Sequence, residues 1–126
     1  MSADRELLEL AAKATGMDVE PFTNGLLYFW HRRGPQDSVA WNPLTDDGDA
    51  LRLAVRLRLE PRVVNISGLE QVEVHGPFDG FFTEDVEGHG NDYYAATRRA
   101  IVRAAAEVGK GMRPFPSDEE IRENWT

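Results

Sequence analysis

The hydrophobic positions fall into segments of two different periods. Leu7, Leu8, Ala11 and Ala14 recur at helical spacing over residues 2–15, and Gly16 follows as a stop. The connector MDVEPFTNG leads into GLLYFW at 25–30, an apolar, aromatic-rich run that predicts a strand. HRRGPQDS breaks that run, and VAW at 39–41 reads as a short partner strand. Pro43 closes the segment. A second helix is expected over about 46–58, with Leu44, Leu51, Ala54 and Val55 inward and Asp49, Arg52 and Arg56 on the other side. RVVNISG and LEQVEVHG are strand candidates, and Gly68 between them predicts a tight hairpin. FDGFFTEDVEGHGN is an aromatic, Gly-broken loop with a short strand expected at 84–87. The last long helix starts near Asp92 and ends at Gly109, with Tyr94, Thr97, Ile101, Ala104, Ala105 and Val108 as its inner stripe. The tail RPFPSDEEIRENWT opens with Pro114 and Pro116, and Ser117 with Glu120 forms a capping-box pattern for a short terminal helix.

The order is helix, strands, helix, strands, helix. It predicts an α+β fold in which an antiparallel or mixed sheet has helices packed on its faces. No internal repeat interrupts it, so a single domain is expected over 1–113, with 114–126 as a tail. At 126 residues, folding buries roughly two thirds of the unfolded chain's surface, enough for a real core. Hydrophobic residues make up 41% of the chain, which excludes a disordered composition.

The net charge of −8 opposes nucleic-acid backbones, so no bulk DNA or RNA binding is expected. It leaves room for a small local basic site. The absence of cysteine removes disulfides and thiol chemistry. The first residues, MSADRELLELAAKA, are charged from residue 4, so no signal peptide is expected. No segment approaches the roughly 18 to 20 apolar residues of a membrane span. A cytoplasmic location follows as the expectation.

Candidate chemistry concentrates in WNPLTDDGDALRLA at 41–54. Asp46, Asp47 and Asp49 fall within the first turn of the second helix. Free N–H groups and the positive dipole end favour carboxylates there, with Thr45 or Asp46 as the cap. The loop entering that helix also offers donors to a ligand, and three acids favour ligand hydroxyls or amines over a bare phosphate. His31, His75 and His89 show no metal-binding spacing, and EDVEGHGND, with Glu84, Asp85, Glu87, His89 and Asp92, reads as a solvated loop. No cofactor-binding motif appears, and no cofactor is expected. Arg32 and Arg33 follow the aromatic strand, while Arg98, Arg99 and Arg103 lie on the last helix. Arginine forks suit phosphates and carboxylates, or surface ion pairs. Trp30, Trp41, Tyr93 and Tyr94 could stack a base, or pack in a core.

Two segments, WNPLTDDGDALRLAVRLRL at 41–59 and ATRRAIVRAAAEVGK at 96–110, resemble the phage α/β/α-sandwich (ABA sandwich) domain family. The first is also distantly similar to the NinX-type phage proteins, which carry an aromatic-x-Pro-x-Thr-Asp turn, here Trp41, Pro43, Thr45 and Asp46. In both groups a late helix opens with an Ala/Thr-x-Arg pattern, here Thr97, Arg98 and Arg99. The motif segments cover about a quarter of the chain. RLRLEPR departs from a typical short helix end, which puts the exit from the second helix in question. The resemblance implies a sheet sandwiched by helices in a phage accessory protein acting inside a bacterium. It supplies no reaction.

The expectation is therefore a non-enzymatic binder, most concretely a sponge that sequesters a nucleotide signal of host immunity. Trp41 or Trp30 would stack the base, Arg98, Arg99 or Arg32 would contact phosphate, and Thr45 and Asp46 would hold hydroxyls or amines. The alternative partner is a host protein, inhibited through the exposed acids of TEDVEGHGND and SDEEIREN. A metal-dependent hydrolase using Asp46, Asp47 or His89 ranks third. Phe115 and Trp125 in the tail make a homo-oligomer plausible.

Overall fold

Helix boundaries are set by local chemistry at each end. In the computed structural model, which describes residues 2–17, 19–21, 29–78 and 80–111, helix α1 spans Ser2–Thr15. It ends where Gly16 turns left-handed at φ 71°, so the Gly16 and Met17 N–H groups reach back to Lys13 and Ala12. Helix α2 spans Asp47–Leu57 and starts on Asp46, whose side chain accepts from the Asp49 N–H. Its exit uses the same left-handed turn with Arg58 in place of glycine, at φ 58°. The Arg58 and Leu59 N–H groups bond back to Val55 and Ala54, which answers the question raised by RLRLEPR. Helix α3 spans Tyr93–Gly111, and Asp92 caps it by accepting from the N–H groups of Tyr94 and Ala95.

The α+β class and the antiparallel pairing follow the expectation, and the strands divide into two sheets. Strands β1 (Val19–Pro21), β2 (Phe29–Gly34) and β3 (Asp37–Trp41) form the first. Strands β4 (Glu60–Ile66), β5 (Leu69–His75) and β6 (Phe81–Asp85) form the second. All pairs are antiparallel. The predicted hairpin at Gly68 is present: Ser67 and Gly68 both have positive φ, as a two-residue type I′ turn requires. HRRGPQDS is not a break. β2 runs through it to Gly34 and β3 starts at Asp37, because His31 and Val39 share one face of the hairpin and Arg32 and Ser38 the other. β6 begins at Phe81 rather than at residue 84, and Glu87–His89 form a 3-10 turn. Most of the GLLYFW segment and the whole 114–126 tail, with its capping box, Phe115 and Trp125, lie outside the described residues.

Helix α3 is the central element. α1 and α2 pack against it, and so do β5 and β6 of the second sheet. Being covered on several sides, it buries Ala96, Ala100, Ile101, Val102, Ala104, Ala105 and Ala106. Those alanines let neighbours approach closely, which a tyrosine would prevent, and Tyr94 is accordingly 70% exposed instead of inward. On α2 the buried set is Ala50, Leu53 and Ala54, with Asp49 beside them. Leu51 and Val55, expected inward, are 63% and 69% exposed. They lie about 100° round the helix from Ala50 and Ala54, at 3.6 residues per turn. The first sheet adds Phe29 and Trp41 to the same core, edge to face at 6.3 Å between ring centroids.

Candidate functional site

The 41–49 segment is built around Asn42, a buried residue with three roles. Its side-chain oxygen accepts from the Leu44 N–H at 2.9 Å, an Asx turn. Its carbonyl accepts from the N–H groups of Thr45 and Asp46. Its own N–H donates to Asp49 Oδ2 at 3.0 Å, and Arg52 donates to the other oxygen of that carboxylate at 2.8 Å. The three acids therefore do three different things. Asp46 caps α2, Asp49 is buried and ties the end of β3 to the helix, and Asp47 pairs with Arg98 at 2.7 Å. Arg98 also donates to the Leu44 carbonyl at 2.9 Å, so α3 clamps the turn from below.

Beside this turn runs a groove of about 750 Å³, within the range of small-molecule sites. One wall is β2–β3, with His31, Val39 and Trp41. The other is α2, with Leu51, Arg52, Val55 and Arg56. Thr15 and Met17 close one end, where the last turn of α1 is held by the Thr15 hydroxyl donating to Ala12 and accepting from Met17. Strand alternation puts Phe29, His31, Val39 and Trp41 on the face turned toward α2, because Phe29 pairs with Trp41 and His31 with Val39. A smaller depression of about 360 Å³, lined by Ala40, Thr45, Asp46, Asp49 and Arg52, adjoins it.

The residues singled out from sequence are thus dispersed. Trp41 lines the groove while its ring is almost wholly in the core, at 5% exposure. Thr45 and Asp46 border the small depression. Trp30 and Arg32 lie on the opposite face of β2, where Arg32 pairs with Glu20. Arg98 is taken up by Leu44 and Asp47, and Arg99 bonds Asp4 of α1 at 2.8 Å. Arg103 contacts Glu84 and the Thr83 carbonyl, and His89 lies 2.7 Å from the second oxygen of Glu84, so this cluster pins β6 and the 3-10 turn to α3. No group of three or more His, Cys, Asp or Glu among the described residues is arranged to hold a metal ion. No helix among them is long and apolar enough to cross a membrane.

Sequence reasoning missed the α2 wall. Leu51 and Val55 follow one another at a spacing of four, and so do Arg52 and Arg56. That second apolar row, outside the Ala50–Leu53–Ala54 stripe, was the available signal. No family model matches the chain, and no curated protein or solved structure matches it.

Proposed function

We propose that this chain is a phage accessory protein that acts in the cytoplasm of an infected bacterium as a non-catalytic small-molecule binder. In its sharpest form it is a sponge that withdraws a nucleotide signal of host immunity. The observation that carries the binding reading is the groove between α2 and the β2–β3 hairpin. Its volume suits one small molecule, its walls are mainly apolar, and Arg52, Arg56 and His31 supply a few polar contacts. The resemblance of the 41–59 and 96–110 segments to the ABA-sandwich family supports the biological setting. A further support for holding over turning over is Asp49. Both its oxygens are occupied, by the Asn42 N–H and by Arg52, which casts it as a strut in the wall.

The test is capture. Purified protein is mixed with cyclic oligonucleotides and ADP-ribose-type molecules, filtered and denatured, and both fractions go to mass spectrometry. The expected result is retention and intact release by the wild type, and loss of retention in Leu51→Asp, whose site is exposed enough to accept a charge without unfolding. Release with an altered mass would replace the binder by an enzyme. Free passage of every compound removes the nucleotide reading. A host-protein partner is the second reading, favoured by the net charge of −8 and the exposed Asp85, Glu87 and Asp92. Salt-sensitive capture of a host protein tests it.

A further inference from the structure

Helix α2 presents two parallel rows to the groove. Leu51 and Val55 form an aliphatic row, both more than half exposed, and Arg52 and Arg56 form a cationic row beside it. Both rows are spaced by four residues, so each pair stands on adjacent turns of one helix side. Two like charges so placed repel, and an anion between them relieves the repulsion. Arg56 is the telling member. Most other described arginines face carboxylates, Arg98 with Asp47 and Arg99 with Asp4 among them, while Arg58, which lies outside the groove, has no ion pair among the described residues either. Arg56 makes no ion pair or hydrogen bond among the described residues, in a chain with 22 acidic and 14 basic side chains. Its neighbour Arg52 is matched by Asp49 at 2.8 Å and Asp46 at 3.9 Å, so the unmatched positive charge in the groove wall is that of Arg56.

We infer that the groove takes a ligand with a flat, largely apolar body and an anionic group, the body lying on Leu51 and Val55 and the anion seated at Arg56. This rests on the binding reading of the groove and narrows it. A nucleoside monophosphate is one member of the class, and a neutral nucleoside is outside it. Charge complementarity selects the anionic end, since a guanidinium fork matches phosphate, sulfonate or carboxylate. The exposed aliphatic row selects the flat body, which gains by covering apolar surface.

The probe is 8-anilinonaphthalene sulfonate, an aryl sulfonate of that description, titrated by fluorescence into the full chain. Wild type, Arg56→Gln, Leu51→Asp and the control Arg58→Gln are compared, each checked by circular dichroism for an unchanged fold. Expected are saturable binding by wild type, loss in Leu51→Asp, and binding weakened roughly tenfold in Arg56→Gln with a flatter salt dependence. Arg58→Gln, outside the groove, is expected to match wild type. If Arg56→Gln also binds as wild type while Leu51→Asp does not, the groove stands and the anion seat falls. If Leu51→Asp binds as wild type, or wild type gives no response, the groove reading itself falls and the inference with it.

Discussion

Glycine 109 is where the fold is most exposed to a single methyl group. It lies on the buried face of α3 against α1, and a Cβ built on it would stand 1.9 Å from the Leu10 carbonyl oxygen. Real Cβ atoms keep about 3.0 Å from their neighbours, so Gly109→Ala forces α1 and α3 apart by about 1 Å or more. The obstacle is backbone, so no rotamer change relieves it. The displacement loosens Leu8, Ala11 and Ala12 against Ala104, Ala105 and Ala106, all at most 4% exposed. Overpacking of this kind costs about 3 kcal/mol. Alanine's better helix propensity returns about 1 kcal/mol. The expected net loss is about 2 kcal/mol, which lowers the melting temperature by roughly 8 °C in a domain of this size. Urea unfolding followed by circular dichroism measures it, with Gly111→Ala as control, since nothing lies within 4 Å of a Cβ there. Gly109→Ala as stable as wild type would mean that α1 and α3 do not touch at Leu10.

The remaining predictions concern the turn chemistry and the three aspartates. Arg58→Gly is expected to stabilise by about 0.5–1 kcal/mol, because it gives α2 the left-handed glycine that already ends α1; a loss in urea melts would count against the exit described for α2. Ser67→Asn is expected to stabilise the β4–β5 hairpin by a few tenths of a kcal/mol, roughly what a better type I′ residue gives on a scale spanning about 1 kcal/mol; thermal melts resolve the sign. Asp49→Ala should cost about 2–3 kcal/mol, since it strands the buried Asn42 N–H. Asp46→Ala should cost about 1 kcal/mol as a lost cap, and Asp47→Ala about 0.5 kcal/mol as a lost half-exposed pair. Any order other than Asp49, Asp46, Asp47 in chemical unfolding contradicts the roles assigned to them.

Where the fold was legible, a local rule and the packing agreed. The start of α2 follows from aspartate chemistry at a helix N-terminus, and the β4–β5 hairpin follows from a glycine between two apolar strands. Where it was not, polarity hid the period or two patterns competed. β2 and β3 continue through HRRG and DS because antiparallel pairing satisfies those polar residues, and their alternation is only visible once Val39 is set opposite His31. On α2 two apolar rows coexist, Ala50–Ala54 and Leu51–Val55. Sequence cannot rank them, since the choice depends on how closely α3 can approach, and alanine permits the nearer approach. For Tyr94 the helical period was right and the covered length of α3 was not.

The candidate site was harder to read for a reason of distance along the chain. Arg98 and Arg99 read equally as phosphate forks or as members of ion pairs, and their partners are Asp47 and Asp4, 51 and 95 residues away. An arginine's availability is a tertiary property, fixed by which carboxylate the fold brings to it. In an acidic chain most arginines find one, so the informative residue is Arg56, which combines the lack of one among the described residues with a place in the groove wall, not the conspicuous pair. The same reasoning recasts the WNPLTDDGD turn. Asn42, Asp49, Arg52 and Arg98 spend their hydrogen bonds on holding β3, α2 and α3 together. Those bonds make the turn a firm support, while the exposed Thr45 and Asp46 border the smaller depression. The turn ties the end of β3 to the start of α2, the two elements whose side chains wall the groove.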